Sequence, residues 1–362
     1  MKIVFVLEHY YPYVGGAEKL FQQLAESLAT GEHDVTVVTT RFDGELPKKE
    51  QLNGVKIRRV NCYNRYLFTL FSLPQLWANC RNADIIHTTT YNAAFPAWLI
   101  GKIYRKRVVL TFHELWSDLW FQLPFLARWQ RWVYYLYESF ILKLSFDHYL
   151  AVSEATAQDL RAQDIPTNKI VQIYNGIDYQ QFRAYTHTPP PKFTLLYFGR
   201  LGVSKGLDLL LPAWGAFLQD YPDAVLQLVI PLYPRSLFLR VSDIVQQCIP
   251  KENIQYFHDL PEDDLFTKIS QVSAVVIPSY SEGFCFAAAE TVAIGTPVIS
   301  SGKKALQEVV SGKHITIQGQ EVDDLLTAIK SAYQEEWDYS PVRKFDLKET
   351  VDAYLAFYRR LT

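Results

Sequence analysis

Cysteine is scarce and unpaired in this 362-residue chain: Cys62, Cys80, Cys248 and Cys285 form no C-x-x-C pair. None of the eight histidines stands in H-E-x-x-H, so the sequence predicts neither disulfides nor zinc, and a reducing, cytosolic setting. The start, MKIVFVLEHYYP, carries an apolar run that ends at Glu8. That run is shorter than the roughly 7 to 15 apolar residues of a signal-peptide core. No uncharged apolar stretch approaches the roughly 18 to 20 residues that span a bilayer. Neither G-x-G-x-x-G nor G-x-x-x-x-G-K-[ST] occurs, which argues against dinucleotide cofactors and P-loop chemistry. No two aspartates are spaced D-x-D, so a metal-held diphosphate is not expected and no cofactor is predicted.

What is present is a soluble, globular composition, 49% hydrophobic and 20% charged, in a chain long enough for two domains of about 150 to 200 residues. The net charge of −2 is unevenly spread. Between Gly54 and Arg107 stand Lys56, Arg58, Arg59, Arg65, Arg81, Lys102, Arg105, Lys106 and Arg107 against Asp84 alone, interleaved with aromatics such as Tyr63, Phe71 and Trp77. Clustered cations with amphipathic rings suit an anionic membrane surface or an anionic acceptor. Nucleic acid is not expected, since overall charge is negative and no recognition motif accompanies the basic run. The expected location is the cytoplasm, with peripheral attachment to the inner face of the membrane.

The chain repeats a short apolar run, a turn and a helical pattern, the rhythm of parallel βαβ architecture. Candidate strands are 3–7, 34–40, 55–60, 84–90, 107–113 and 147–153, then 193–200, 224–230, 253–259, 273–279 and 296–301. Between the two series lies NGIDYQQFRAYTHTPPPK (175–192), whose three consecutive prolines read as a linker. The expectation is therefore α/β: a Rossmann-like domain over 1–183, a second over 184–344, and a terminal helix over 345–362 packing back on the first. Ligands of such folds bind beyond the carboxyl ends of the strands, which predicts a site in the cleft between two facing sheets. The aromatic stretch 112–146 reads either as a pair of core helices or as a surface that faces lipid.

Four clusters carry chemistry. In SYSEGFCFAAAETVAI (279–294), Glu282 stands at a strand-to-helix loop and Glu290 eight residues on. The amides of Gly283, Phe284, Cys285 and Phe286 are then first-turn donors for an anion, with phosphate the natural ligand. Carboxylates repel phosphate, so Glu282 and Glu290 are expected to accept from hydroxyls on either side of it. Alternatively Glu282 only complements the helix dipole and Glu290 is a solvated acid. In YFGRLGVSKG (197–206), Arg200 and Lys205 supply two cations to a leaving diphosphate, or are two solvated surface cations. Gly15 and Gly16 follow the first strand, where they allow close approach to a phosphate or simply make a turn. His113, in TFHE, sits at a strand's carboxyl end, facing a ligand or bonding structurally; His9 and His87 are weaker candidates of the same kind.

Together GGAE, TFHE, VSE, NGID, FGR with SKG, the E-x7-E from Glu282 to Glu290, and GTPVISS resemble the family 4 glycosyltransferases of GT-B fold, a group that includes phosphatidylinositol mannosyltransferases. The resemblance covers nearly the whole chain. It implies a retaining, metal-independent hexosyltransferase moving sugar from a UDP- or GDP-sugar to a lipid-linked or polysaccharide acceptor. Arg200 and Lys205 would hold the diphosphate, Glu290 the ribose, Glu282 and His113 the sugar, and Gly16 would lie near phosphate. The chain departs from the family pattern at Cys285, where glycine is usual, at His258, and at Lys303 and Lys304 within GKKALQE. Two other readings stay open: a nucleotide-sugar epimerase of the same fold, and a non-catalytic nucleotide-binding scaffold subunit.

Overall fold

The computed structural model describes residues 1–13 and 15–362. It divides into two compact units, Met1–Ser117 with Trp132–Gly176 and Leu347–Thr362, and Asp118–Arg131 with Ile177–Asp346.

The chain begins β1 (Lys2–Val6), α1 (Gly16–Thr30), β2 (Asp34–Thr40), β3 (Lys49–Leu52) and β4 (Val55–Val60). It continues α2 (Phe68–Phe71), α3 (Leu73–Cys80), β5 (Ile85–Thr89), α4 (Ala94–Tyr104) and β6 (Arg107–Phe112). Then follow α5 (Arg128–Lys143), β7 (His148–Ala151), α6 (Glu154–Arg161) and β8 (Ile170–Gln172). The strands form one sheet in the order β3-β4-β2-β1-β5-β6-β7-β8, parallel except for the antiparallel edge β3–β4. Parallel strands covered by helices on both faces are continuous apolar runs, which is why "IVFV" and "RVVLTF" were readable. Ser153 Oγ accepts from the Thr156 amide at 3.1 Å and so caps α6.

The second unit contains β9 (Thr194–Phe198), α7 (Leu207–Asp220), β10 (Val225–Val229), α8 (Arg235–Cys248) and β11 (Ile254–Phe257). After these come α9 (Glu262–Ser270), β12 (Ala274–Ile277), α10 (Phe286–Ile294), β13 (Val298–Ser300) and α11 (Leu306–Val309). The unit closes with β14 (Gly312–Thr316), α12 (Val322–Tyr333) and β15 (Asp338–Ser340). Its sheet runs β11-β10-β9-β12-β13-β14-β15, with only β14–β15 antiparallel. The last helix, α13 (Leu347–Leu361), belongs to the first unit, where Val351, Tyr354 and Tyr358 join Ile3, Phe5 and Leu24 in one core.

Four strands escape a reading by pattern: β3, β8, β14 and β15. They are short, polar or half-exposed, and their partners rather than their composition hold them extended. The stretch read as a linker belongs to the second unit from Ile177 on. Asp178 caps the turn Tyr179–Phe182 by accepting from the Gln180 amide, and Phe182 is buried against Phe266, with ring centroids 4.9 Å apart. The stretch 112–146 is not a pair of core helices. It forms a short 3-10 turn, Ser117–Phe121, and the single helix α5.

Candidate active site

In the second sheet β9 and β12 are parallel neighbours from which the strand order runs outward in opposite directions, the switch point where open α/β sheets bind ligands beyond their carboxyl ends. Lys205 follows β9 and Glu282 follows β12, and the fold brings them together. The Lys205 ammonium donates to Glu282 Oε1 at 2.7 Å, and the Ser279 hydroxyl donates to the same oxygen at 2.7 Å. Glu282 is almost wholly buried.

Gly206 makes this approach possible. Its φ is +70°, and a Cβ there would stand 2.1 Å from the Pro278 carbonyl oxygen. The loop thus lies directly on the end of β12, and the Tyr280 amide donates to the Ser204 carbonyl at 2.8 Å. The Tyr280 hydroxyl ties the same loop to α7 by donating to Asp208 Oδ2 at 2.7 Å. Burial raises the Asp208 carboxyl above its usual range, against the pull of that hydrogen bond. Arg200 lies on the same β9–α7 loop and is exposed.

Helix α10 opens at Phe286, so Gly283, Phe284 and Cys285 belong to the loop entering it. Cys285 is its N-cap, at φ +73°. That is left-handed backbone, which costs a residue with a Cβ about 1–2 kcal/mol and glycine nothing. Cys285 thus takes a conformation that suits glycine, the residue the resemblance led one to expect there. Burial, and after it Glu282, push the Cys285 thiol well above its ordinary range, so it is protonated and inert near neutrality. Phe284 is buried edge-on against Phe286 and Phe345, at 5.2 and 5.3 Å between centroids. With the helix beginning at Phe286, Glu290 stands a little over one turn in, half-buried.

Of the other departures, His258 has a structural role. A ring nitrogen of His258, Nδ1, donates to the Ile230 carbonyl at 2.7 Å and pins the end of β11 to β10. Gly302 keeps φ +60°, where a Cβ would meet Thr316 Cγ2 at 2.6 Å, while Lys304 takes φ +53° in the next turn. Glu308 lies on α11.

The remaining candidates fall in the first unit. Gly15 caps α1 in extended backbone that any residue adopts, and Gly16 is the first residue of that helix. His113 follows β6 and is half-buried, its ring edge-on to Phe21 at 5.8 Å. His87 is not at a strand end. It sits within β5, fully buried, with Nδ1 on the Tyr358 hydroxyl and Nε2 on the Thr111 hydroxyl at 2.7 Å, so its role is structural.

Two groups were missed by pattern. Ser279 lay within a motif already quoted, but a hydroxyl three residues before a glutamate is too common to signal. Glu8, two residues past the buried β1, could have been found as a charge where an apolar run stops. Its Oε1 pairs with Arg65 Nε at 2.7 Å and its Oε2 accepts from Asn92 at 2.8 Å, across the first sheet's switch point between β1 and β5. Burial would raise this carboxyl. The His9 hydrogen bond, Arg65 and Asn92 outweigh it and hold the group below its usual range.

Residues 14–181 match the family described as Glycosyltransferase Family 4, and residues 178–345 match Glycosyl transferases group 1. Among curated proteins, the chain is 27% identical over 320 residues to GDP-mannose:cellobiosyl-diphosphopolyprenol alpha-mannosyltransferase of Xanthomonas oryzae pv. oryzae, covering 83% of this chain and 78% of that protein. It is 22% identical over 325 residues to D-inositol 3-phosphate glycosyltransferase of Streptomyces scabiei, covering 82% and 73%. Sucrose-phosphate synthase from Thermosynechococcus elongatus has the same fold, with a TM-score of 0.82 at 20% identity over 99% of this chain and 98% of that one. The Anabaena HepE protein, solved with UDP and glucose, superposes at 0.75 with 16% identity over 99% and 100%.

Proposed function

The chain belongs to the family 4 glycosyltransferases of GT-B fold, and from that premise we propose that it moves a hexose from a nucleoside diphosphate sugar to a lipid-linked or polysaccharide acceptor. The observation that carries this reading is the Ser279–Glu282–Lys205 cluster at the switch point of the second sheet, beside the first turn of α10. Glu282 has one oxygen occupied by two donors, which orients Oε2 to accept from a sugar hydroxyl. Lys205 carries three N–H donors, so it can hold Glu282 and a phosphate oxygen together. With Arg200 and the first-turn amides of α10 it supplies positive charge where the leaving diphosphate becomes more negative. Glu290, one turn into α10, is assigned to the ribose. His113 is the first unit's candidate substrate contact.

In the proposed step the acceptor hydroxyl attacks the anomeric carbon as the bond to the diphosphate oxygen breaks. The electron pair leaves with the diphosphate, and the acceptor's proton passes to the departing phosphate on the same face, so configuration is retained. We assign no metal to this step and give the neutralising role to Lys205 and Arg200. The mannosyltransferase relative names the first substrates to test, GDP-mannose with a glycosyl-diphosphopolyprenol.

The test is a thermal-shift and transfer panel of UDP-, GDP- and ADP-sugars in EDTA, with wild type, Arg200→Ala and Glu290→Ala. One nucleotide class is expected to stabilise wild type and not the variants, with transfer of sugar to acceptor undiminished by EDTA. Conversion of the donor to an epimerised sugar without acceptor, and with no transfer product, would make the chain an epimerase. A shift that ignores both substitutions would remove the donor site.

A further inference from the structure

Helix α5 is sixteen residues long, yet the side chains it buries are only Glu138 and Ile141. Glu138 is 1% exposed and accepts from the Tyr91 hydroxyl at 2.6 Å and from the amides of Trp116 and Ser117 at 3.1 and 2.6 Å. These bonds settle which face turns inward. At helical spacing Trp132, Val133, Leu136 and Phe140 fall on the opposite face, between 42% and 60% exposed. A buried carboxylate under an aromatic outer stripe is the reverse of what water selects for a surface helix.

The stripe is part of a wider surface. The Tyr66 hydroxyl lies 3.4 Å from that of Tyr134 on α5, and the Phe140 ring is 5.7 Å from Phe95 on α4. Nearby, Phe71 on α2 and Trp77 on α3 are exposed as well. An apolar area of this kind marks an interaction surface.

Charge decides the occupant. Glu138 is the sole carboxylate on α2, α3, α4 and α5, and it is buried, whereas Arg65, Lys102, Arg105 and Lys143 are exposed on or beside these helices. Two copies joined by this face would oppose like charges. A bilayer with acidic headgroups accepts both the cations and the rings, which favour the depth between headgroup and acyl chain. We propose that the outer face of α2 to α5 docks the chain peripherally on an anionic lipid bilayer, with Trp132, Leu136 and Phe140 entering the interface. The proposal rests on the transfer reading only for its purpose, access to a lipid-borne acceptor; the docking needs neither nucleotide nor acceptor.

The experiment is co-sedimentation with phosphatidylcholine vesicles, with and without phosphatidylglycerol, at low and high salt. Wild type should bind the phosphatidylglycerol vesicles and be released by salt. Trp132→Ser/Leu136→Ser/Phe140→Ser should lose about tenfold or more in partition, and Lys102→Glu/Arg105→Glu should lose the preference for phosphatidylglycerol. Both variants should melt as wild type does. Binding indifferent to headgroup charge, an unchanged triple variant, no binding by wild type, or a dimer that the triple variant dissociates would each overturn the proposal. Vesicle binding without any nucleotide response would sink the transfer reading and leave this one standing.

Discussion

Ser279 and Lys205 share one oxygen of Glu282, and the consequence at the scale of single residues is orientation. Ser279 touches no substrate in the proposed step, so it is a positioning residue. Ser279→Ala leaves the ion pair but lets the carboxylate rotate. Transfer should fall by about 10- to 100-fold in kcat, since small misplacements cost that much, with donor KM nearly unchanged. Ser279→Thr should restore most of the rate, because the hydroxyl returns. A loss confined to KM, or no rescue by threonine, would deny the positioning role. This arrangement was only half legible. Glu282 and Lys205 stood out as charges in loops after apolar runs, but their contact joins positions 77 apart, and Ser279 gains meaning only beside them.

Elements meet where a glycine permits it. The β9–α7 loop lies against the end of β12 because Gly206 has no side chain to collide with Pro278 and accepts φ +70°. In Gly206→Ala the Cβ would press on backbone that cannot move aside, in a conformation alanine resists. A loss of about 2–4 kcal/mol is expected by urea melt, together with loss of the nucleotide-induced thermal shift, since Lys205 is carried by this loop. A variant of wild-type stability would mean that the loop and strand separate freely. At this scale the sequence rhythm located eleven strands, because buried parallel strands are apolar throughout. It could not locate β3, β8, β14 and β15, whose extended form comes from neighbours. Nor could it show which face of α5 turns inward, since Glu138 binds the Trp116 and Ser117 amides and Tyr91, two of them in a loop with no pattern of its own.

For the whole molecule, His87 joins three distant parts of the first unit: β5, Thr111 on β6 and Tyr358 on α13. Burial, and after it His113, hold its imidazole down to about 3 from an ordinary 6.5. Above pH 6.5 both folded and unfolded states carry it neutral, and it adds no pH dependence. Below 6.5 the unfolded chain takes up a proton that the folded one refuses. Stability should then fall by up to about 1.4 kcal/mol per pH unit as acidity increases toward pH 3. His148 and His33, both lowered chiefly by burial, act in the same direction. Urea melts between pH 7.5 and 4.5 should show this slope, made shallower but not flat by His87→Gln; an unchanged slope would mean that His87 is protonated in the folded state. The sequence by itself determined the α/β class and the doubly wound repetition, and it singled out the cations and carboxylates proposed for the donor, because apolar periodicity and charged loops after strands are local properties. Tertiary structure alone decided that His87 is sealed rather than facing substrate, that Ser279 and Lys205 converge on one oxygen, and that α5 shows its rings to solvent. Each of these depends on contacts between segments far apart in the chain, where no local pattern records the partner.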